Sequence, residues 1–364
     1  MDTRSCGKLD IASDVVTLQI GTLNVGTLSG KSREVADLMK RRKIQILCLQ
    51  ETRWKGEKAK EIGEGIKLFY KGEDGRKNGV GIAISESVKD SVSAVQRISD
   101  RIMSVRIDAK EGSWTVVSVY APQTGCPDKE KDEFYEALDD VIRSVPEDDF
   151  LTIAGDLNGH VGTDRRGVER VHGGRGVGSK NGDGERILDL AVAHDLAICS
   201  TFFAKRESQK MTYNSGGRKT EVDHILVRRR ALKTVRDVKV LPIEDVATQH
   251  RPLVADLNVI LPPKVKVRTE PRIRWWKLRG PEQSELKRRV VVAGLPNPDG
   301  PVNETWRLAA RTILQCAKDV LGETKGGQKG ERAAWFWNDE VQKAVREKKN
   351  AFKTWQTSGL LEDR

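Results

Sequence analysis

The sequence has no long apolar run and few cysteines, and both absences restrict the class of protein. No stretch approaches the roughly 18 consecutive apolar residues of a membrane span, and the first ten residues, MDTRSCGKLD, contain no hydrophobic signal region. The five cysteines are odd in number and widely spaced, without a Cys-x-x-Cys pair, which excludes a disulfide framework and a zinc site of that type. We therefore expect a soluble intracellular protein with no membrane partner, in which Cys48 and Cys199, inside apolar runs, are buried thiols.

Acidic residues are the minority among the charged ones. The chain carries 64 Lys and Arg against 53 Asp and Glu, for a formal net charge of +11 over 364 residues. Such a balance favours a polyanionic partner. Charge alone leaves nucleic acid and an acidic membrane surface both open.

Between Val16 and about Ile260, short β-rich runs alternate with a few amphipathic segments. Helical periodicity occurs in three of these segments, 32–43, 129–145 and 184–196, with Val35, Leu38 and Met39 on one face of the first. Because strands outnumber helices, the pattern predicts an α/β fold, a four-layered sandwich of two packed mixed sheets flanked by helices. The predicted strands include AICSTFF (197–203), and the Gly-rich stretch 164–183 is expected to be a mobile surface loop.

The composition changes at Pro262-Pro263, which predicts three parts: a flexible tail (1–14), a catalytic domain (15–262) and a basic linker with a helical extension (263–364). Residues 264–279 hold seven Lys and Arg against one acid, together with Trp275 and Trp276. Helical periodicity follows over 304–322 and 336–355. The tryptophan pair could stack on exposed bases or dock against the catalytic domain.

Polar side chains stand at the ends of several predicted strands. Each alone could be structural, as a loop cap, a surface charge or a hydrogen-bonded histidine. Together they offer oxygen ligands for a hard divalent cation, a second carboxylate and amide for water and phosphate, and an Asp–His pair, which is the residue set for metal-assisted phosphodiester hydrolysis. The set is Asn24, Glu51, Tyr120, Asp156, Asn158, Asp223 and His250.

The ordered motifs LNV, LQET, VYAP, GDLNG, VDHILV and QHRPLV resemble those of the endonuclease/exonuclease/phosphatase superfamily. The N-terminal part is similar to the craniofacial development protein 2 group and to the apurinic-type endonuclease domain of RTE-clade non-LTR retrotransposon polyproteins. In those polyproteins a basic tryptophan-bearing segment and a helix lead into a reverse transcriptase.

The resemblance implies a Mg²⁺ site, which Mn²⁺ could also fill, with Glu51 as the principal ligand and Asn24 beside it. It implies that Asp156 orients and deprotonates the attacking water. Gly155 and Gly159, which flank this motif, would then allow the backbone to pass close by.

For the phosphate, the resemblance implies that Asn158 holds the scissile group and that His250 donates to its non-bridging oxygens. Asp223 would fix the tautomer of His250 and favour its cationic form. Tyr120 would sit against the phosphate or the leaving oxygen.

Two positions depart from the family pattern. Gln249 stands where the family usually has Asp before the motif histidine, which argues against a second metal ion. Gly26 stands where the abasic-repair branch often has Asp, which argues against strong abasic-site activity.

The favoured function is a Mg²⁺-dependent DNA endonuclease that nicks one strand and leaves 5′-phosphate and 3′-hydroxyl ends, as in retrotransposon target-site cleavage. A phosphoesterase of the same superfamily acting on small phosphoesters, and a domesticated nucleic-acid-binding protein with little turnover, remain alternatives. We expect a monomer that acts on DNA in the nucleus, and a small-molecule substrate is not expected. The KRRK run (40–43) is a weak nuclear signal, and Arg53, Lys55 and the arginines 228–230 are candidate DNA backbone contacts.

Overall fold

The computed structural model describes residues 16–109, 112–242, 246–259, 271–324 and 339–358. The contacts of the chain divide it into two compact units, one comprising Met1–Lys264 and Ala333–Arg364 and the other Val265–Arg332. The predicted N-terminal tail and the first part of the basic linker lie outside the described residues. No helix within the described ranges is both long enough and apolar enough to cross a membrane.

Two mixed β-sheets form the larger unit, as predicted. The strands, numbered in chain order, form a seven-stranded sheet in the order β14 (Val235–Val240), β15 (Leu253–Val259), β1 (Val16–Asn24), β2 (Ile46–Gln50), β5 (Val80–Ile84), β4 (Ile66–Gly72) and β3 (Gly56–Gly63). The second sheet has six strands in the order β10 (Leu196–Ile198), β13 (Asp223–Arg228), β9 (Phe150–Asp156), β8 (Gly112–Tyr120), β7 (Ile102–Ala109) and β6 (Val92–Arg97). A separate hairpin pairs β11 (Tyr213–Ser215) with β12 (Arg218–Thr220).

Three helices cover the outer faces of the two sheets. Strand β2 shows why: Ile46 and Cys48 pack into the core between the sheets, whereas Leu47 and Leu49 face helix α1 (Ser32–Arg42) on the other side. A strand buried on both faces is apolar along most of its length. Helix α1 lies on the first sheet, and α2 (Asp128–Ser144) and α3 (Gly182–Ala193) lie on the second. The four predicted layers are therefore present.

Strand direction brings several chain ends to one edge of the sandwich. Strand β1 runs parallel to β2, with Asn24 opposite Gln50, and β8 runs parallel to β9, with Tyr120 opposite Asp156. Antiparallel pairing then sets Asp223, the first residue of β13, opposite Asp156. The carboxyl ends of β1, β2, β8 and β9 and the start of β13 therefore lie at the same edge of the sandwich.

Two local predictions are wrong. Of the predicted strand 197–203, only Ala197 and Ile198 lie in β10 (Leu196–Ile198), because Cys199–Phe202 forms a 3₁₀ helix. The stretch 164–183 is irregular up to residue 181, where α3 follows, but its middle is not a surface loop: Val171 and His172 are buried, and the carbonyl of Val171 accepts a hydrogen bond from the amide of Ile198 in β10.

The smaller unit is helical. It contains α4 (Pro281–Ala293), which the sequence did not predict, and α5 (Val302–Leu321), which it did. Its small core joins Ile273, Ala317 and Leu321. The last predicted helix is α6 (Asp339–Ser358), which belongs to the larger unit.

Candidate active site

All seven residues singled out in the sequence lie along the strand edge described above. Asn24, Tyr120 and Asp156 are the last residues of β1, β8 and β9, and Asp223 is the first of β13. Glu51 follows β2 directly, and Asn158 follows β9 by two residues. His250 joins the group because its backbone bridges to Tyr213 of β11.

Glu51 is held by three side chains. Its Oε1 accepts from Asn24 Nδ2 at 3.0 Å and from the Tyr120 hydroxyl at 2.9 Å, and its Oε2 accepts from Arg53 Nη2 at 2.8 Å. Burial alone would raise the pKa of Glu51, but these hydrogen bonds outweigh it and hold that pKa below its ordinary value. Glu51 is therefore a carboxylate at neutral pH.

The backbone around Glu51 is strained. Glu51 and Arg53 both have φ of +51°, a left-handed conformation that residues with a Cβ rarely adopt. The strain is held by backbone hydrogen bonds from Thr52 N to Gly79 O and from Arg53 N to Asn78 O, both 3.0 Å. Non-glycine residues in this region persist where the surrounding structure fixes them, and they cluster at functional sites.

Asp156 is a buried carboxylate that accepts two hydrogen bonds and lies near a second carboxylate, that of Asp223. Its Oδ2 accepts from Asn24 Nδ2 at 3.0 Å, and its Oδ1 accepts from the backbone amide of Asn158 at 3.0 Å. Burial first, and then the neighbouring charge of Asp223, raise the pKa of Asp156 to about 7. A carboxylate with such a pKa can accept a proton at neutral pH.

His250 and Asp223 form the predicted pair. His250 donates from Nδ1 to Asp223 Oδ2 at 2.9 Å, which leaves Nε2 facing the site, 3.7 Å from Asp156 Oδ2. Burial would lower the pKa of His250, but Asp223, followed by Asp156 and Glu51, raises it to about 9. The imidazole is therefore a cation at neutral pH.

Tyr120 and Asn158 contact protein atoms at the same edge. The Tyr120 hydroxyl donates to Glu51, and burial together with the charges of Glu51 and Asp156 raises the pKa of that phenol, so it remains a hydrogen-bond donor. Asn158, at φ of +48°, donates from Nδ2 to Ala121 O at 2.9 Å. An amide nitrogen carries two hydrogens, so one stays available to a ligand.

The expectation for the two glycines of the GDLNG motif is confirmed. A Cβ on Gly155 would lie 1.9 Å from Val119 O of the neighbouring strand. A Cβ on Gly159 would lie 2.7 Å from the carbonyl carbon of Asp183 at the start of α3. Any side chain at either position would push Asp156 and Asn158 out of place.

The donor set fits a hard divalent cation. Carboxylate oxygens of Asp156 and Asp223 lie within 4.8 Å of each other, and Asp223 Oδ1 is buried without a hydrogen-bond partner. Glu51 lies beside them, at a cavity of about 290 Å³ that Asn24 and His250 also line. Carboxylate oxygens crowded in this way are the ligands that Mg²⁺ prefers. Asn24 turns its amide nitrogen to Glu51 and Asp156 and its oxygen to Gly26 N (3.0 Å), so its oxygen would reach a cation only if the amide turned.

Sequence reasoning missed two neighbours of the site. Arg53 was considered only as a DNA contact, but it pairs with Glu51, because the left-handed backbone at both residues turns the side chains toward each other. Tyr213 packs edge-on against His250 with ring centroids 4.8 Å apart. The short strand that carries Tyr213 gave no signal in the sequence. Gln249, the departure from the family pattern, is exposed and donates to Ser215 Oγ at 3.0 Å.

The arginines 228–230 lie away from this edge. Asp223 starts β13 at the site, and Arg228 ends the strand five residues later, about 17 Å away. Arg228 donates to the carbonyl oxygens of Glu147 (2.7 Å), Asp149 (2.8 Å) and Val145 (2.8 Å), just beyond α2. These bonds favour a structural role over the DNA contact considered from the sequence.

Arg228→Ala should lower the free energy of unfolding by about 1–3 kcal/mol, because the half-buried carbonyl contacts at Val145 and Asp149 lose a charged donor. Urea unfolding measures the loss, and Lys129→Ala, at an exposed i,i+4 pair, is the matched control with little expected change. DNA affinity of the folded Arg228→Ala protein should stay within about twofold of wild type. A large loss of affinity with unchanged stability would contradict the structural role.

A two-sheet sandwich with carboxylates, amides and an Asp–His pair at one strand edge places the protein among α/β folds of the nuclease and phosphatase kind. Comparison with known families agrees: residues 21–256 match the Endonuclease/Exonuclease/phosphatase family. The chain belongs to the endonuclease/exonuclease/phosphatase family. The resemblance predicted from the ordered motifs is thereby confirmed.

Individual relatives agree with this assignment. Craniofacial development protein 2 of Bos taurus is 30% identical over 246 residues, which cover 66% of this chain and 41% of that protein. The transposon TX1 uncharacterized 149 kDa protein of Xenopus laevis is 25% identical over 194 residues, covering 49% of this chain and 13% of that protein. The chain thus spans less than half the length of these relatives. An AP endonuclease from Archaeoglobus fulgidus has the same fold, with a TM-score of 0.51, 22% identity, and coverage of 66% of this chain and 100% of that one.

Proposed function

We propose that the protein is a metal-dependent DNA endonuclease, with residues 15–262 as its catalytic domain, which nicks one strand to leave 3′-hydroxyl and 5′-phosphate ends. The observation that carries the proposal is the convergence of Glu51, Asp156 and the Asp223–His250 pair at one edge. The net charge of +11 suits a DNA substrate. On this proposal the protein acts in the nucleus as a monomer on chromosomal DNA, as in retrotransposon target-site cleavage.

Glu51 is the proposed principal ligand of Mg²⁺, for which Mn²⁺ could substitute. When bound, the ion neutralises phosphate charge and stabilises the leaving oxygen. Tyr120 and Arg53 hold the two oxygens of Glu51 in place, and Asn24 links Glu51 to Asp156. Outer hydrogen bonds of this kind orient ligands and tune their affinity for metal.

Asp156 is the proposed general base. Its carboxylate, oriented by Asn24 and by the amide of Asn158, would take the proton of the attacking water. A pKa of about 7 gives a useful fraction of the ionised form at neutral pH together with enough basicity to accept the proton.

His250 is the proposed electrostatic clamp on the phosphate. Its Nδ1 is engaged by Asp223, so the cationic ring can donate only from Nε2 into the site. A non-bridging oxygen held there gains charge as water attacks, and the hydrogen bond strengthens in the transition state. The free hydrogen of Asn158 Nδ2 would hold the same phosphate.

The ends of the nick test this reaction directly. A duplex oligonucleotide labelled at the 5′ end, incubated with the protein and Mg²⁺, should yield products that a DNA polymerase extends without prior phosphatase treatment. Products that become extendable only after removal of a 3′-phosphate would contradict the proposed polarity. Release of inorganic phosphate from small phosphoesters, without nicking, would instead support the phosphoesterase alternative.

Replacing Glu51 with glutamine should raise the Mg²⁺ concentration needed for half-maximal nicking by at least about tenfold, because an uncharged oxygen replaces the charged ligand. A titration of nicking rate against Mg²⁺ measures this shift. The control is Glu57→Gln, which removes an exposed surface carboxylate paired with Lys71 and should leave the titration unchanged. An unaltered Mg²⁺ requirement in Glu51→Gln would remove Glu51 from the metal site.

A further inference from the structure

Two adjacent tryptophans of the smaller unit lie at the protein surface. The exposed fractions of Trp275 and Trp276 are 46% and 61%, although tryptophan is a residue that proteins usually cover. Four cations stand within three residues of the pair: Arg272, Arg274, Lys277 and Arg279. We call these six residues the tryptophan–arginine cluster.

The cluster is held by its own unit in a fixed turn. Ile273 is buried against Ala317 and Leu321, and its backbone bridges to Glu323 just past the end of α5. Arg274 N donates to Gly322 O at 3.0 Å. Anchored in this way, the 3₁₀ turn Trp275–Lys277 carries both indoles on its outer side.

Within the part of the chain that the structure describes, the four cations of the cluster form no ion pair with a carboxylate. No acidic residue occurs from Pro271 to Gly280. Two exposed indole rings flanked by four cations contribute little to the stability of an ordinary surface turn. They are complementary to a polyanion whose repeating units present planar faces.

We propose that the tryptophan–arginine cluster binds single-stranded DNA, with bases stacked on the indoles and phosphates on the cations. Stacking on aromatic side chains is tolerant of sequence, and every base of a single strand has an open face, whereas the bases of a duplex are covered by their neighbours. The stacking surface is independent of the proposed nuclease activity. The choice of DNA over RNA rests on the proposed function, because a DNA-nicking protein meets opened DNA strands at its target.

Binding of a fluorescein-labelled (dT)20 oligonucleotide to the full chain in EDTA tests the proposal, with fluorescence anisotropy as the readout. The double substitution Trp275→Ala/Trp276→Ala should raise Kd at least about tenfold, because the two indole rings on which bases stack are removed. The control is Trp306→Ala, which removes a tryptophan that is 71% exposed near the opposite end of α5. It should change Kd less than twofold.

The cations give a second, independent readout. The triple substitution Arg272→Gln/Lys277→Gln/Arg279→Gln should reduce the slope of log K against log salt by about 2, as expected from the loss of up to three phosphate contacts on a single strand. A matched triple substitution of exposed cations of the same unit, Lys287→Gln/Arg307→Gln/Arg311→Gln, should leave the slope nearly unchanged. Equal slopes in the two triple variants would overturn the proposal.

Other outcomes also decide the assignment. Tighter binding of (rU)20 than of (dT)20 would overturn the choice of DNA. Loss of binding to phosphatidylserine vesicles in the double tryptophan variant, with (dT)20 binding intact, would assign the cluster to a membrane surface instead. Because the assay runs in EDTA, a failure of nuclease activity leaves its result unaffected. Conversely, nicking of closed circular duplex by the double variant should remain at the wild-type rate.

Discussion

Asp156→Asn should reduce Mg²⁺-dependent nicking by about 10³-fold, since a general base contributes roughly 10²- to 10⁴-fold. Asparagine keeps the shape of the side chain and an oxygen for the amide of Asn158, but it cannot accept a proton from water. The rate of single-turnover nicking of a labelled duplex measures the loss. Activity within tenfold of wild type would exclude Asp156 as the base.

The same substitution should change the stability of the fold little at pH 8, because removal of a buried charge offsets loss of the hydrogen bond from Asn24. Burial and Asp223 raise the pKa of Asp156 from 3.8 to about 7, so the folded state binds its proton more tightly than the unfolded state does. The stability associated with that proton is therefore lost as pH rises from about 4 to 7, and a neutral asparagine avoids this loss. Urea unfolding in EDTA should give a midpoint close to that of wild type, which separates lost chemistry from lost structure.

Asp223→Asn should move the whole pH profile of nicking toward acid and lower the rate at pH 8 by roughly 10²-fold or more. In the wild type His250 is a cation below its pKa of about 9, and Asp156 is ionised above its pKa of about 7, so activity should be greatest between these values. Without the Asp223 charge, only Asp156 and Glu51 oppose the effect of burial, so the pKa of His250 falls and the alkaline limb moves to lower pH. The pKa of Asp156 falls as well, since Asp223 is one of the groups that raise it.

The measurement is kcat/KM for a labelled duplex between pH 5.5 and 9.5, at a saturating Mg²⁺ concentration. Asp149→Asn, which removes a buried carboxylate paired with Arg106 on the second sheet, is the control and should keep both limbs in place. An alkaline limb that stays near pH 9 in Asp223→Asn would show that His250 does not act as the cation. In that case the phosphate would need another electrophile at the site.

Much of the site could be predicted because its residues sit at strand ends in ordered motifs. A buried strand such as β9 has an apolar signal that ends where Asp156 and Asn158 begin, so their placement follows from the strand's direction. The glycines at 155 and 159 also indicated close packing at this turn, and the neighbouring backbone does pass too close for a Cβ at either position. The pairing of His250 with Asp223 was expected from the polar residues at strand ends, and the motif resemblance gave that pair its role.

Edge strands were the main failure of sequence reasoning. Strand β3 has the sequence GEKAKEIG, and most of its side chains are exposed, so it lacks the apolar alternation by which strands are recognised. Charged edges of this kind protect a sheet from pairing with other chains. Strand β6 and the β11–β12 hairpin were not predicted for the same reason. The contact between Tyr213, in β11, and His250 was therefore not predicted either.

Helix α4 was missed for a different reason. Its residues Val290, Val291 and Val292 are β-branched and consecutive, a pattern that disfavours a helix, and Val291 and Val292 are exposed. Packing against α5 overrides that local preference, since Leu286 contacts the small core around Ile273 and Ala317. Tertiary contacts of this kind cannot be obtained from local periodicity.

Nicking of supercoiled plasmid by the wild-type chain, with Mg²⁺ or with EDTA, tests whether the strand-edge site cuts DNA. We expect open circles with Mg²⁺ and none with EDTA, at a rate that depends on Asp156 and His250. Plasmid that stays supercoiled in Mg²⁺ and in Mn²⁺, although the folded protein binds it, would show that the site does not cleave. The strand-edge site would then belong to a protein that holds DNA without cutting it.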